Sequence, residues 1–168
     1  MGYLYEDLKR QGLQPYLDCK SICIGEECWN SIEDGIKNTP IAVVVFSERY
    51  AESEWCLKEL HVMLEAHPRK EILPVFYNVT PWDLRNPERG QFKDGFEKLK
   101  KKFNSELIDQ WKADLEVASK LMGWEHSDNS TRYFISIIYH VVKWSRWLNY
   151  IILDTRPRML LYVHVLCY

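Results

Sequence analysis

The sequence predicts an α/β fold in which helices cover both faces of a mainly parallel sheet. Two runs, Ile41–Phe46 and Glu71–Phe76, are almost wholly apolar, which is typical of strands buried on both faces of such a sheet. Between them, apolar residues recur at spacings of three and four, which indicates a helix with one buried face. These residues are Cys56, Leu57, Leu60, Met63 and Leu64.

The remaining elements continue this alternation. Three are expected upstream of Ile41: a helix over 4–11, a strand over 14–17 and a helix over 27–37. Ser53 is a favourable N-cap for the central helix, which extends to about Ala66. Four are expected after the second apolar run: helices over 92–103 and 107–119, a short strand over 121–124 and a helix over 133–148. This order predicts a doubly wound sheet of the flavodoxin-like kind.

The connection between Phe46 and the central helix is the predicted site. Ligands of open parallel sheets collect at the carboxyl ends of the strands, and Ser47 directly follows a strand. Trp55 and Glu59 lie four residues apart on the helix, which places an acid beside an indole. A lone helix glutamate is most often solvated, so the pattern alone leaves both interpretations of Glu59 open.

Several blocks of sequence occur in an order that is typical of one family. They are Leu17-Asp18 with 25–27, Phe46-Ser47, Tyr50-Ala51, 53–60, 74–77, 81–85 with 90–92, and Trp111 with 118–124. These blocks resemble the plant class of Toll/interleukin receptor (TIR) domains over about 4–147. The resemblance implies the TIR fold. It also places the strand at Pro74 inside the sheet, although an internal proline alone indicates an edge strand.

The resemblance further implies that the first, central strand of the fold is missing. Domains of this class begin with a strand and an Arg-Gly loop, whereas this chain starts inside the first helix. In the family's strand order the missing strand lies between the strands at 14–17 and 41–46. The facing edges of these two strands would then be unpaired, and each buried unpaired group costs about 1–3 kcal/mol. We therefore expect a TIR domain over 1–150, lacking that strand and loop, which folds poorly unless another segment fills the gap.

A tail without a family counterpart, over 151–168, offers a candidate for that segment. Residues 159–166, Met-Leu-Leu-Tyr-Val-His-Val-Leu, are apolar and rich in β-formers. As a hypothesis, they add to the sheet as a strand. The alternative is a stray tail from an incomplete or mis-joined gene model.

In function, the resemblance implies cleavage of the nicotinamide–ribose bond of NAD+ in plant immune signalling, with NAD+ as substrate and neither cofactor nor metal. Glu59 matches the catalytic glutamate and would stabilise an oxocarbenium-like ribose. Trp55 would stack on the nicotinamide ring or wall the pocket, and by desolvation it would raise the pKa of Glu59. The alternative for Trp55 is a simple core residue.

The same resemblance assigns further positions. Substrate binding falls on Ser53, Asp18 and Ser47, an accessory role in nucleotide cyclisation on Cys56, and a mobile flap on the loop with Gly25 and Glu26. Simpler interpretations also stand: Ser53 as an N-cap, Cys56 as a small buried hydrophobe, and the flap as an exposed loop.

A second functional class stays open. The absent first loop favours a non-catalytic module that binds itself or other TIR domains, or an inactive truncated remnant. Such a module predicts that Glu59→Ala leaves partner binding unchanged.

Composition restricts the partners and the compartment. The net charge of −2 does not indicate a nucleic-acid surface, and the lysines of 98–102 are expected to form a solvated helix face. Five cysteines without a secretory leader indicate free thiols in the cytoplasm or nucleo-cytoplasm. A cluster at Cys19, Cys23 and Cys28 lacks a fourth ligand for zinc, and no apolar run reaches the roughly 20 residues that span a membrane.

Overall fold

The computed structural model describes residues 10, 14–17, 26–39, 41–66, 71–126 and 160–164. The helices expected over 4–11 and 133–148 lie outside these residues, apart from a helical Arg10. In chain order the elements are β1 (Gln14–Leu17), α1 (Glu26–Asn38), β2 (Ile41–Phe46), a 3-10 helix (Tyr50–Glu52), α2 (Glu54–Glu65), β3 (Glu71–Tyr77), α3 (Pro81–Arg85), α4 (Lys93–Lys102), α5 (Ser105–Ala118), β4 (Trp124–His126) and β5 (Leu160–His164).

The described strands form one parallel sheet in the order β1-β5-β2-β3-β4. The C-terminal strand β5 lies between β1 and β2, where the missing strand was expected. Leu161 is aligned with Pro15 of β1 on one side and with Ile41 of β2 on the other. The structure thus confirms the hypothesis that the segment after Met159 adds to the sheet.

Pro74 lies inside the sheet, because β3 pairs with β2 on one edge and with β4 on the other. Its partner in β2 is Val44. The position implied by the family resemblance is confirmed, and the edge position suggested by the proline alone is wrong.

Strand β4 begins three residues later than the sequence indicates. After α5 ends, the backbone N–H groups of Lys120 and Leu121 bond to Val117 and Ala118, which continues the turn. Gly123 then passes close to β3, and a Cβ there would lie 2.5 Å from the carbonyl oxygen of Pro74. A glycine is needed at this approach, and the strand starts only after it.

Helix α3 was not among the predicted helices. Thr80 and Asp83 form a capping box, and Pro81 occupies the first turn. Both features are local start signals of a helix. A search for caps, in place of apolar periodicity, would have found this element.

The main core is formed by the sheet together with residues of α1 to α5. The predicted stripe of α2 is buried, except that Leu64 is only partly covered. Large fully buried side chains in this core are Phe46, Tyr50, Phe76, Phe96 and Trp111.

Asp83 holds the loop that follows β3. Its carboxylate accepts hydrogen bonds from the N–H (2.8 Å) and hydroxyl (2.7 Å) of Thr80 and from the N–H of Gln91 (3.0 Å). Burial raises the pKa of Asp83, but these bonds outweigh it, and the net pKa lies below the usual value. This group therefore stabilises the fold above its unfolded pKa, and the stabilisation is lost as the pH falls through the folded pKa.

We expect Asp83→Asn to lower the free energy of unfolding at neutral pH by about 1–3 kcal/mol, because it replaces a charged acceptor of three bonds. The loss should shrink as the pH falls below 4, and thermal melts between pH 2.5 and 7 measure it. The exposed Asp94 of α4 is the matched control. An equal loss at every pH would contradict the role of the charge.

Candidate functional site

The site lies in the connection between β2 and α2, at the carboxyl edge of the sheet. Ser47 ends β2 and is 4% exposed. The chain then forms the 3-10 helix, and Ser53 caps α2 by accepting a bond from the N–H of Cys56 at 3.4 Å. This cap, expected from the sequence, fixes where the helix starts.

Glu59 is completely buried on α2. Its neighbours in sequence on the covered face, Leu57 and Leu60, are also without exposure. Because an ionised carboxylate is costly to remove from water, such a group needs specific compensation or a function. The interpretation of Glu59 as an ordinary solvated glutamate is therefore wrong.

Tyr50 shares the buried environment of Glu59. Its hydroxyl donates a hydrogen bond to the carbonyl oxygen of Cys56 at 3.1 Å, and its ring lies 4.6 Å from that of Phe46. Burial raises the pKa of Tyr50 well above 10, with smaller contributions from Cys56, Glu59 and Asp114. Tyr50 was not among the predicted site residues, although it belongs to a block that carries the family resemblance.

Trp55 is half-buried and packs against α1. Its ring lies 5.4 Å from that of Trp29 at an interplanar angle of 54°, and the ammonium of Lys58 lies 5.5 Å from its centroid. The contact of Trp29 with Trp55 was not predicted, because no local sequence pattern indicates that α1 packs against α2 at these residues. Stacking of Trp55 on a nicotinamide ring stays a prediction.

Five of the predicted site residues lie in one short segment of the structure. Between the end of β2 and the middle of α2 are Ser47, Ser53, Trp55, Cys56 and Glu59. Cys56 is a buried free thiol. Among the described residues, no group forms a hydrogen bond with the buried Ser47 hydroxyl.

The predicted flap lies almost entirely outside the described residues. Asp18 and Gly25 are not among them, and of Glu26 the structure describes the backbone, which begins α1. Their roles therefore stay predictions.

Comparison with known proteins decides the family. The family model described as "TIR domain" matches residues 1–153. This chain belongs to the TIR domain family. The match ends before β5, so the strand that completes this sheet lies beyond the residues that the family model covers.

The related proteins include plant resistance proteins. The TIR chain is 34% identical over 126 residues to "TMV resistance protein N" of Nicotiana glutinosa, which covers 73% of this chain and 11% of that protein. It is 39% identical over 85 residues to "Probable 2' cyclic ADP-D-ribose synthase BdTIR" of Brachypodium distachyon, covering 51% of this chain and 37% of that one. The chain thus spans only a small part of these relatives.

A solved structure with the same fold is that of the TIR domains of the "activated Roq1 resistosome directly recognizing the pathogen effector XopQ". The TM-score is 0.68 at 29% identity, with 84% of this chain and 87% of that chain covered. The predicted flavodoxin-like TIR fold is confirmed.

The basic residues near the end of α4 in this TIR domain are exposed and matched by acids. Lys100 lies 3.1 Å from both Glu88 and Glu97, and Lys102 pairs with Glu54 at the start of α2. The expected solvated face is confirmed, and its positive charge is largely neutralised locally.

Within the described ranges of the chain, no three His, Cys, Asp or Glu side chains cluster as metal ligands would. No helix in this part of the chain is long and apolar enough to cross a bilayer.

Proposed function

We propose that this TIR domain cleaves the nicotinamide–ribose bond of NAD+, with Glu59 as the catalytic carboxylate. The observation that carries the proposal is the complete burial of this acid at the ligand-binding edge of a parallel sheet. A buried ionisable group in such a position is a candidate for catalysis, because catalytic acids and bases are often held in positions that exclude water.

The proposed chemistry needs one carboxylate. The C–N bond breaks toward nicotinamide, which leaves as a neutral molecule with the bonding pair, and positive charge develops on the ribose. Glu59, held near the ribose hydroxyls, orients the sugar and stabilises that charge. Water then adds to the anomeric carbon and loses a proton, which gives ADP-ribose; attack by a hydroxyl of the nucleotide itself would give a cyclic product.

Further residues are proposed to contact this substrate. The buried Ser47 hydroxyl has no protein partner among the described residues, and a ribose hydroxyl would supply the bond that a buried polar group requires. Trp55 would cover the nicotinamide side, and Cys56 would assist cyclisation. Asp18, Gly25 and Glu26 are proposed for the flap.

Access to Glu59 requires a movement, because the acid has no exposed surface. Closure around a substrate commonly completes such sites and excludes water. We propose that opening accompanies self-association, since the structural neighbour is the TIR part of an assembly. Activity per molecule should then rise with protein concentration.

The name of the Brachypodium relative supports the chemistry, and the resistance-protein relatives support a place in plant immune signalling. We propose the cytoplasm, or cytoplasm and nucleus, as the compartment.

A second candidate is a non-catalytic module that binds other TIR domains. The likeness to a TIR assembly favours it. It predicts no NAD+ consumption by the wild-type chain and unchanged self-association in Glu59→Ala, both of which sedimentation and a nicotinamide assay would show.

Comparison of NAD+ with NADH tests the proposed chemistry. Oxidised nicotinamide leaves as a neutral ring, whereas the dihydro ring would have to leave with a negative charge. We expect NADH to be cleaved at least ~10³-fold more slowly, a barrier difference of about 4 kcal/mol. Chromatography of both reactions measures it, and equal consumption would indicate attack elsewhere, such as on the pyrophosphate.

A further inference from the structure

A second buried carboxylate, which the proposed mechanism does not use, joins α5 to α2. Asp114 of α5 is 5% exposed. Its Oδ2 lies 3.1 Å from Nδ1 of His61, and its Oδ1 lies 3.2 Å from Nε2 of Gln110. His61 lies two residues after Glu59, so this contact joins α5 to the turn of α2 that carries the proposed catalytic acid.

Ionisation of Asp114 does not stabilise the fold at neutral pH. Burial raises its pKa, and the nearby His61 and Gln110 offset this effect only in part. A carboxyl with a raised folded pKa stabilises the fold below its unfolded pKa of 3.8, and that stabilisation is lost as the pH rises through the folded pKa. At neutral pH the ionised group therefore lowers the free energy of unfolding, which is common for residues with functional roles.

Asp114 and Glu59 also act on the same buried group. Both contribute to the raised pKa of Tyr50, although burial is its main cause. Asp114 further faces Glu65, whose Oε1 lies 3.5 Å from Nε2 of His61. The two helices thus meet through one polar cluster, in which Asp114 is buried while His61 and Glu65 reach the surface.

We propose that Asp114, through its bond to His61, positions the turn of α2 that carries Glu59. Asp114 is a positioning residue, because it acts through the helix and does not touch the substrate. The consequence for catalysis rests on the proposed function, whereas the effect on α2 does not.

Three variants test this inference. Asp114→Ala removes the bond, and Asp114→Asn keeps its shape without the charge. Asp109→Asn changes an exposed acid of the same helix, 3.9 Å from Lys112, and is the control. Hydrogen exchange of the peptide 54–65, thermal melts at pH 7.5, and the kcat and KM for NAD+ are measured for each.

We expect Asp114→Ala to speed amide exchange in 54–65 by about tenfold, because local opening depends on such contacts, with 93–102 unchanged. The kcat should fall about tenfold with KM within about twofold, as for a misplaced catalytic group. Asp114→Asn should recover part of the kcat and melt above the wild type, a combination that a merely structural residue would not give.

Unchanged exchange in 54–65 for Asp114→Ala would overturn the inference. So would a fall in kcat that matches the fraction of unfolded protein. If the wild-type chain does not consume NAD+, the proposed function fails, but the exchange result still decides whether Asp114 positions α2.

Discussion

Removal of residues 157–168 is expected to abolish folding of this chain. The deletion takes away β5, which is aligned with four residues of β1 and four of β2. The facing edges of these two strands would lose their partners, at about 1–3 kcal/mol for each buried unpaired group. Since a domain is stable by only about 5–15 kcal/mol in total, several such groups exceed what the fold can tolerate. Circular dichroism and thermal melting of the shortened chain measure the effect.

Addition of β5 as a separate peptide provides the control. A synthetic peptide with the sequence of 157–168 should restore a cooperative melt to the shortened chain, because a free strand can pair with exposed sheet edges. A peptide of the same composition in scrambled order should not. A shortened chain that melts cooperatively without any peptide would show that β5 is dispensable.

Substitution of Glu59 by glutamine is expected to lower the kcat for NAD+ by about 10³-fold, the scale seen when one preorganised electrostatic group is removed. The shape of the side chain is kept, and a neutral amide is less costly to bury than a carboxylate. The melting temperature should therefore stay equal to that of the wild type or rise. Steady-state kinetics and thermal melts on the same samples separate the two effects.

Glu106→Gln is the matched control, because it makes the same change at an exposed glutamate of α5. Its kcat should stay within about twofold of the wild type, as expected for a surface change away from the site. Wild-type turnover in folded Glu59→Gln would remove Glu59 from the mechanism.

Local signals in the sequence predicted β2 and α2 well. The uninterrupted apolar run from Ile41 to Phe46 has the bounds of the strand, and the Ser53 cap marks the start of the helix. Glu59 was identified from the family resemblance, since its position on the helix did not distinguish a buried acid from a solvated one. Its complete burial depends on tertiary packing, which a local sequence pattern does not encode.

The parts that were missed depend on contacts between distant segments. Trp29 reaches Trp55 across 26 positions in sequence, and Asp114 reaches His61 across 53. No periodicity or cap encodes such pairs. The position of β5 was accessible only because the resemblance showed which strand was lacking, so that an apolar segment had a place to fill.

The NMR time course of NAD+ with the wild-type chain tests the central claim most directly. Protein shown to be folded is mixed with NAD+ over a range of concentrations, and the nicotinamide and ribose resonances are followed. The proposed function predicts that free nicotinamide appears together with ADP-ribose or its cyclic form, at a rate per molecule that rises with protein concentration. NAD+ that stays intact at every concentration, in the presence of folded protein, would contradict it.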